Sequence, residues 1–265
     1  MKTSNAICAA LLSLASLAVA QKETPLPKDL PAYGPEKPLA APSVQASKLD
    51  NGLTVWLVSE PGFPQIALDL AVRGGLAADP ADRPGISKLL ADTVTQGTAG
   101  RSAKQVAQEM QAAGGDLTTA PHNDFIEVSA TILSSQADSG ISVLADVVQY
   151  ASFADAEVTL AKRNAADQLK QQESEASFLA QRAMAQVLFG DHPYHVYAPT
   201  QASIDATTSA DLRTVFAQRF RPDQALLVAV GDFQTAAMLD LIKAKFAAWK
   251  APSAAPLAPS PAPST

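Results

Sequence analysis

The sequence is poor in the residues that build most recognisable catalytic and metal sites. Its 265 residues include one cysteine, Cys8, and three histidines. Cys8 lies in an N-terminal segment that we predict to be removed, so the mature chain would have no thiol for a disulfide, a nucleophile or a metal site. The GxSxG, P-loop and GxGxxG patterns are also missing, so no positive signal indicates a serine hydrolase, nucleotide or dinucleotide site.

Positive charge is scarce as well. The chain has 20 Lys and Arg against 26 Asp and Glu, a formal net charge of -6 at pH 7 and a pI near 5.0. No cluster of Lys and Arg is present to neutralise phosphates, which argues against a nucleic-acid or anionic-membrane partner. Hydrophobic residues make up 47% of the chain, enough for a sizeable core in one large domain or two small ones.

The N-terminal segment has the pattern of a secretory signal peptide. Lys2 precedes an apolar run over residues 6–20, and Ala18-Val19-Ala20 provides a small-residue cleavage site. The run is short for a bilayer span, which disfavours the competing interpretation as a transmembrane anchor. We therefore predict a signal peptide over residues 1–20, no membrane anchor after its cleavage, and a protein that is periplasmic or secreted.

Two proline-rich segments flank the rest of the chain. In residues 21–43 the recurrent prolines deny helix and sheet hydrogen bonds and predict an extended leader. Residues 251–265 are almost wholly Ala, Pro and Ser, which is typical of a flexible linker or tail. Residues 44–250 are predicted to form one folded domain. Because a linker normally joins two parts, either a second domain is missing or the tail is vestigial.

The central part of the chain mixes strand and helix patterns without a strict βαβ repeat. Residues 53–58 and 66–72 are predicted to be strands that form an antiparallel pair. Residues 125–133 are predicted to form another strand, and Ser102 is predicted to cap a helix that runs through Ala113. Helical periodicity dominates residues 136–189, and Ser209 is predicted to cap a later helix. This order favours an α+β domain whose mostly antiparallel sheet is covered on one face by several helices.

The helix predicted at residues 85–98 carries the most informative polar pair. Apolar residues recur at helical spacing and place Lys88 and Asp92 on one face, one turn apart. Such a pair on an otherwise apolar helix is either part of a metal or catalytic site or a solvated i,i+4 salt link. The residue types by themselves favour the salt link.

The three histidines give weak signals for chemistry. His192 and His195 have the i,i+3 spacing of a metal-binding pair, but the adjoining Pro193-Tyr194 is typical of a loop packed on the core. His122 stands close to Asp124 in the sequence, a combination that would serve as a base with a carboxylate. The surrounding Pro, His, Asn and Asp are also typical of a turn. We expect turn and loop roles for all three.

Several short sequence motifs occur along residues 49–250 in a characteristic order and spacing. They are Asn51-Gly52-Leu53, Gly74-Gly75, Asp79-Pro80, Gly85, Gly97-Thr98, Ala113-Gly114-Gly115, Asp124, Phe189, His192-Pro193-Tyr194 and Val230-Gly231-Asp232. Taken together, these signals resemble the insulinase/pitrilysin-type zinc metallopeptidases, also called inverzincins. The resemblance implies the LuxS/metallopeptidase-like α+β fold found in one domain of an insulinase-like half, and matches the first domain of the tandem pair.

In active members of this family, the helix that matches Lys88 and Asp92 carries an HxxEH motif. Its two histidines hold zinc and its glutamate activates water. Here the histidine positions are Lys88 and Asp92, and the glutamate position is Ala91. The third zinc ligand of the family, a glutamate, matches Gln168 or Leu169, and neither can serve. The resemblance therefore implies the fold of the family. We expect no catalytic residue in this chain, and neither the zinc of active members nor another cofactor.

Three functions follow from this resemblance, and we favour the first. The first is an exported, catalytically inactive homologue that acts as a non-catalytic domain or subunit beside a second insulinase-like domain or an HxxEH-bearing subunit. The second is an active zinc metalloendopeptidase with replaced ligands such as Asp92, Asp167 or His122. The third is a module that binds an extended peptide at the edge of a strand. The residues that match this strand are Leu117, Thr118, Thr119 and Ala120.

Overall fold

The computed structural model describes Gly34 and residues 41–262. The predicted signal peptide lies outside the described residues, as does the predicted leader except for Gly34 and residues 41–43. The strands are β1 Gln45–Lys48, β2 Thr54–Ser59, β3 Gln65–Arg73, β4 Asp116–Pro121, β5 Phe125–Leu133 and β6 Ala225–Gly231. The helices are α1 Ile86–Val94, α2 Ala103–Ala112, α3 Ala137–Tyr150, α4 Asp155–Gln172, α5 Ala176–Phe189, α6 Gln201–Ala206, α7 Ser209–Arg219 and α8 Thr235–Phe246. None of these helices is both long and apolar enough to cross a membrane.

The six strands form one sheet in the order β1-β2-β6-β3-β5-β4. β2 and β6 are parallel, and all other neighbouring strands are antiparallel. The helices bury one face of the sheet, so burial alternates along the strands: Ile66, Leu68, Leu70 and Val72 of β3 are fully buried, and the residues between them are not. The α+β class with a mostly antiparallel sheet, predicted from the sequence, is confirmed.

The predicted pairing of β2 with β3 is wrong. β6 lies between these strands and pairs with both, so that Val228 of β6 is opposite Trp56 of β2 and Asp69 of β3. A hairpin is the usual result when two strands follow each other closely in the chain. Here the late strand β6 displaces that pairing, because it forms hydrogen bonds with β2 on one side and with β3 on the other.

Capping side chains determine where two of the helices begin. α2 follows the predicted cap Ser102, which forms a capping box with Gln105. For α7 the predicted cap is wrong by one residue: Thr208, and not Ser209, accepts a hydrogen bond from the backbone N–H of Asp211. Both hydroxyl residues suit this position, and Asp211 decides between them because its side chain bonds back to the N–H of Thr208.

The proline-rich segment after α8 lies along the surface of the domain. Residues 251–262 contain no helix or strand, as their proline content leads one to expect. The Nη1 of Arg221 donates to the carbonyl oxygen of Ala254 at 2.7 Å, and the Nε2 of His192 lies 2.8 Å from the carbonyl oxygen of Pro261. These contacts hold the segment at two places. Its role as a linker to another domain stays a prediction.

Candidate functional site

The start of α1 is built around the buried carboxylate of Asp79. One of its oxygens accepts a hydrogen bond from the N–H of Gly85 at 2.9 Å, and both lie 3.3 Å from the N–H of Ser87. Gly85 has a φ of 84°, and a Cβ there would come within 2.8 Å of the Cα of Pro199, so this position requires glycine. A carboxylate is stabilised by the N-terminal end of a helix, and Asp79 thereby fixes where α1 begins.

Arg219, at the end of α7, pairs with this carboxylate. The side chains of Asp79 and Arg219 are 2% and 3% exposed, and an Nη2 to Oδ1 distance of 3.1 Å joins them. The guanidinium also donates to the carbonyl oxygens of Gly74 and Ala78 at 2.9 Å and to the hydroxyl of Ser87. Burial raises the pKa of Asp79 and lowers that of Arg219, and each partner opposes the other's shift. This pair connects α7 to the loop before α1.

In the first turns of α1, Lys88 and Asp92 form an ion pair. The Nζ of Lys88 lies 2.7 Å from both carboxylate oxygens of Asp92, and each side chain is 32% exposed. Ala91 is fully buried, and its carbonyl oxygen accepts a hydrogen bond of 2.6 Å from the hydroxyl of Thr119 in β4. The helix thus presents the ion pair on a half-buried face and fixes Ala91 against the edge of the sheet.

Replacing Lys88 with Met is expected to change the stability only slightly. An i,i+4 ion pair on a helix contributes roughly 0.3–0.5 kcal/mol, so the free energy of unfolding should fall by about that amount. Asp92→Asn should give a change of similar size. Urea unfolding of both variants at low and high salt measures this contribution, and a loss well above 1 kcal/mol, about twice the usual contribution, would contradict a simple salt link.

Across from the ion pair, α4 lines a cavity of about 320 Å³. Lys88, Asp92 and Gln168 all contribute to its wall. Leu169, in contrast, is 4% exposed and belongs to the hydrophobic core. Of the two residues that match the third ligand position, only Gln168 therefore lines the cavity that contains both partners of the ion pair.

Glu157 is a residue of this cavity that the sequence reasoning missed. It lies on the same face of α4 as Gln168, three helical turns earlier, and Ala161 and Asn164 line the cavity between them. The helical spacing of these four residues is a signal that would have found Glu157. Asp167, considered above as a replacement ligand, does not contribute to the cavity wall.

The side chains of this cavity do not fit a zinc ion. Zinc in proteins is typically bound by four ligands drawn from His, Cys and carboxylates. The ammonium of Lys88 bonds both oxygens of Asp92, so a metal cation would have to displace a group of its own charge. Gln168 offers only a neutral amide. Within the described part of the chain, no group of three or more His, Cys, Asp or Glu side chains is placed to hold a metal.

His122 pairs with a carboxylate other than the one suggested by the sequence. The Nε2 of His122 lies 3.1 Å from the Oε2 of Glu127. The ring of His122 also stacks on the ring of Phe125. Asp124 instead accepts a hydrogen bond of 2.6 Å from the hydroxyl of Tyr194, and this bond raises the pKa of Tyr194. The structure therefore does not bring His122 and Asp124 together as a base and carboxylate.

His192 and His195 bind groups of their own loop. The Nδ1 of His192 accepts a hydrogen bond from the N–H of Tyr194 at 3.2 Å, and the Nδ1 of His195 lies 2.8 Å from the carbonyl oxygen of His192. These contacts use one ring nitrogen of each histidine to shape the short helical turn Pro193–His195. The two rings are not presented as a pair of metal ligands.

β4 is the edge strand beside α1, with β5 as its neighbour. Just beyond β4, the N–H of His122 donates to the carbonyl oxygen of Phe125 at 2.8 Å. His122 and Phe125 are therefore a hydrogen-bonded pair of the ladder between β4 and β5. Such pairs alternate along an antiparallel ladder, so Leu117 and Thr119 stand at non-hydrogen-bonded positions. Their backbone N–H and C=O groups point away from β5, toward the free edge of the sheet.

Comparison with known proteins identifies the family. The protein-family model described as "Insulinase (Peptidase family M16)" matches residues 54–198. A second family model, described as "Peptidase M16 inactive domain", matches residues 206–265. The chain belongs to the insulinase family, peptidase family M16. The resemblance noted in the sequence is thereby confirmed. The first match includes α1, α4 and β4, the elements that carry the cavity and the free strand edge of this M16 domain.

Some curated relatives of this M16 domain are named as zinc proteases, and another is named as a non-peptidase homolog. An uncharacterized zinc protease of Rickettsia felis is 33% identical over 112 residues, which are 42% of this chain and 27% of the relative. A Helicobacter pylori protein named non-peptidase homolog YmxG is 25% identical over 173 residues, which are 65% of this chain and 40% of that protein. The chain spans less than half the length of either relative.

Two solved structures share the fold of this M16 domain. A peptidase M16 inactive domain from Pseudomonas fluorescens has a TM-score of 0.78 and 23% identity, covering 84% of this chain and 54% of that one. The periplasmic protease PqqL of Escherichia coli has a TM-score of 0.75 and 17% identity, covering 84% of this chain and 26% of that one. This chain therefore spans about half of the first protein and about a quarter of the second.

Proposed function

We propose that this M16 domain is a catalytically inactive, exported homologue that acts as a non-catalytic domain or subunit of a peptidase-like assembly. The observation that carries the proposal is the Lys88–Asp92 ion pair, which occupies the two positions that the family resemblance assigns to zinc-binding histidines. Because the ammonium of Lys88 is bonded to both oxygens of Asp92, neither of these two residues is available as a metal ligand. Ala91, at the position of the general base, has no side-chain proton acceptor.

A second insulinase-like domain is the partner that we propose. This chain spans about half of one structural neighbour and a quarter of the other, so both neighbours contain further polypeptide beside the matched domain. The family resemblance implies assemblies in which a subunit that carries HxxEH is paired with a relative that has lost the motif. The Helicobacter pylori relative named as a non-peptidase homolog supports loss of activity within proteins of this kind.

The periplasm is the compartment that we propose. The signal-peptide pattern of residues 1–20 predicts export, and the structural neighbour PqqL is a periplasmic protease. N-terminal sequencing of the protein recovered from a periplasmic fraction should give a chain that starts at Gln21. Recovery of an uncleaved chain from the cytoplasm alone would contradict export.

Purification of the tagged full chain from the cells that produce it tests the assembly. We expect a protein with an insulinase-like domain to co-purify in constant ratio, and the isolated chain to contain far less than one zinc per molecule. Absence of any such partner would overturn the proposal. Stoichiometric zinc in the isolated chain, together with peptide cleavage that a chelator abolishes, would instead support an active zinc metalloendopeptidase with replaced ligands.

Peptide binding at β4 is a second candidate function, favoured by the backbone groups of Leu117 and Thr119 that point away from β5 at the sheet edge. An extended peptide that adds to an edge strand bonds to such outward groups and needs no metal. Thr118 and Ala120 bond to β5 and would not take part through their backbone. Pro121 has no N–H to offer and limits the usable edge to the residues before it.

Replacing Thr119 with Pro is expected to weaken peptide binding by roughly threefold to tenfold, the effect of one lost hydrogen bond. The substitution removes an outward N–H and leaves the bonds between β4 and β5 in place. Fluorescence anisotropy with a fluorescein-labelled pool of tryptic casein peptides gives the affinity. Thr119→Val is the matched control, because it keeps the N–H and loses only the hydroxyl bond to Ala91. Equal affinities of the Pro and Val variants would reject binding at this edge.

A further inference from the structure

The proline-rich segment after α8 has one large apolar side chain. Residues 251–265 are all Ala, Pro or Ser except for Leu257 and Thr265. Residues 254–261 of this segment are called the strap below. Within the strap, only Leu257 and Ser260 are half-buried, and the other residues are exposed. This spacing of three matches the period of the polyproline II helix, which has three residues per turn. The strap therefore turns one side, which carries Leu257, toward the domain.

Leu257 packs on Gly74, a buried residue just beyond β3 whose φ is 106°. A Cβ built on Gly74 would lie 2.6 Å from the Cδ1 of Leu257 and 3.1 Å from the Cγ and Cδ of Arg219. These distances are too short for a side chain at this position, so only glycine leaves room for both neighbours. The carbonyl oxygen of Gly74 also accepts the hydrogen bond from Arg219. The apolar side chain of the strap thus lies on the residue that holds the buried guanidinium.

A buried arginine fixes the first residue of the strap. Arg221, whose side chain is 5% exposed, donates through Nη1 to the carbonyl oxygen of Ala254. Its Nε and Nη2 donate to the carboxylate of Asp223 at 2.6 Å and 2.8 Å, which orients the guanidinium before the strap binds. At the other end, the ring of His192 contacts the carbonyl oxygen of Pro261. Leu257 therefore lies between two polar anchors.

Between these anchors the strap does not pack closely on the domain. A cavity of about 280 Å³ separates strap residues 258–260 from Gly75, Asn123 and Tyr194. Segments with few buried apolar contacts open at a low cost in free energy. Prolines also stiffen the strap, so its residues are expected to leave the surface together. Few contacts have to break for the strap to come away from the domain.

The contact at Gly74 bears on the buried ion pair that fixes the start of α1. Hydrogen bonds to a charged group are stronger where water is excluded, and Arg219 is only 3% exposed with the strap in place. Without Leu257 on Gly74, water would reach the guanidinium and compete for Asp79. The carboxylate of Asp79 accepts hydrogen bonds from the N–H groups of Gly85 and Ser87. Weaker orientation of Asp79 would therefore loosen the first turn of α1.

We infer that the strap is a releasable cover of the Asp79–Arg219 pair, and that its release loosens the start of α1. The inference concerns contacts within this chain and does not rest on the proposed function. Its consequence is a mechanical connection between the C-terminal segment and the helix that carries Lys88 and Asp92. A pull on the strap would be felt at that helix through Leu257, Gly74 and Arg219, without any change at the cavity beside Lys88.

Amide hydrogen exchange of the full chain, measured by NMR, tests the inference. Leu257→Ala removes the apolar contact and leaves both anchors. We expect the N–H groups of Gly85 and Ser87 to exchange roughly fivefold to tenfold faster, the effect of losing a half-buried leucine side chain, while exchange in β3 stays unchanged. Leu257→Lys should give a larger increase, because it places a second cation beside Arg219. Leu179→Ala is the matched control, at a leucine of α5 that is 41% exposed.

Chemical modification with phenylglyoxal reads the exposure of Arg219 directly. We expect mass spectrometry to find Arg219 modified several-fold faster in both Leu257 variants than in the unchanged chain, with the exposed Arg163 of α4 as the internal reference. If either measurement gave the same result for the unchanged chain and both Leu257 variants, the inference would be rejected. Exchange that became faster in β3 as much as at Gly85 would also overturn it, because Leu257 would then stabilise the whole domain and not the start of α1.

Discussion

Replacing Arg219 with Met is expected to lower the free energy of unfolding by about 3–5 kcal/mol, the usual effect of removing one partner of a buried ion pair. The substitution leaves the carboxylate of Asp79 buried without its counter-ion and removes the donors to the carbonyl oxygens of Gly74 and Ala78. Since Asp79 also fixes the start of α1, the effect should extend to the helix that carries Lys88. Urea unfolding followed by circular dichroism measures it.

Two further variants separate the buried charge from the loss of a long side chain. Arg163→Met, at an exposed residue of α4, should change the stability by less than about 0.5 kcal/mol. Adding Asp79→Asn to Arg219→Met should recover part of the lost stability, because the double variant has no unpaired buried charge. If the double variant were less stable than Arg219→Met alone, the hydrogen bonds of Asp79, and not its charge, would account for the effect.

Restoring three zinc ligands is expected to produce the largest functional change. The variant Lys88→His, Asp92→His and Gln168→Glu should bind about one zinc ion per chain, with a nitrogen, nitrogen and oxygen ligand set of the kind found in catalytic zinc sites. The prediction depends on the cavity that these three residues share. Ala91 is left unchanged, because it is fully buried and a glutamate there would add an unpaired charge. Competition with a chromophoric chelator gives the affinity.

The matched control moves the glutamate by one residue. Lys88→His and Asp92→His combined with Leu169→Glu should bind zinc much more weakly and unfold more easily, because Leu169 is part of the hydrophobic core. The double histidine variant without any added glutamate should fall between the two in affinity. Equal zinc affinity of the Gln168→Glu and Leu169→Glu variants would show that the assignment of the third ligand position to Gln168 is wrong.

The individual helices and strands could be predicted from the sequence, because each depends on a pattern of residues that are close together in the chain. Alternating apolar residues predicted β3 and β5, helical periodicity predicted α3 to α5, and Ser102 predicted the start of α2. The partners of the strands were not readable in the same way. The pairing of β2 depends on β6, which lies far along the chain, and a sequence pattern carries no information on which distant strand is inserted between two near ones.

For the candidate site, the sequence by itself determined which groups are present: Lys88 and Asp92 one turn apart on a helix, and a family pattern whose ligand positions are filled by other residues. Residues four positions apart on a helix lie on the same face, so the sequence alone brings Lys88 and Asp92 together. Only the tertiary structure shows that Gln168 lines the cavity that contains both Lys88 and Asp92, whereas Leu169 lies in the core and lines a second cavity beside Lys88 alone. The Asp79–Arg219 pair, 140 positions apart, likewise exists only because the end of α7 packs against the loop before α1.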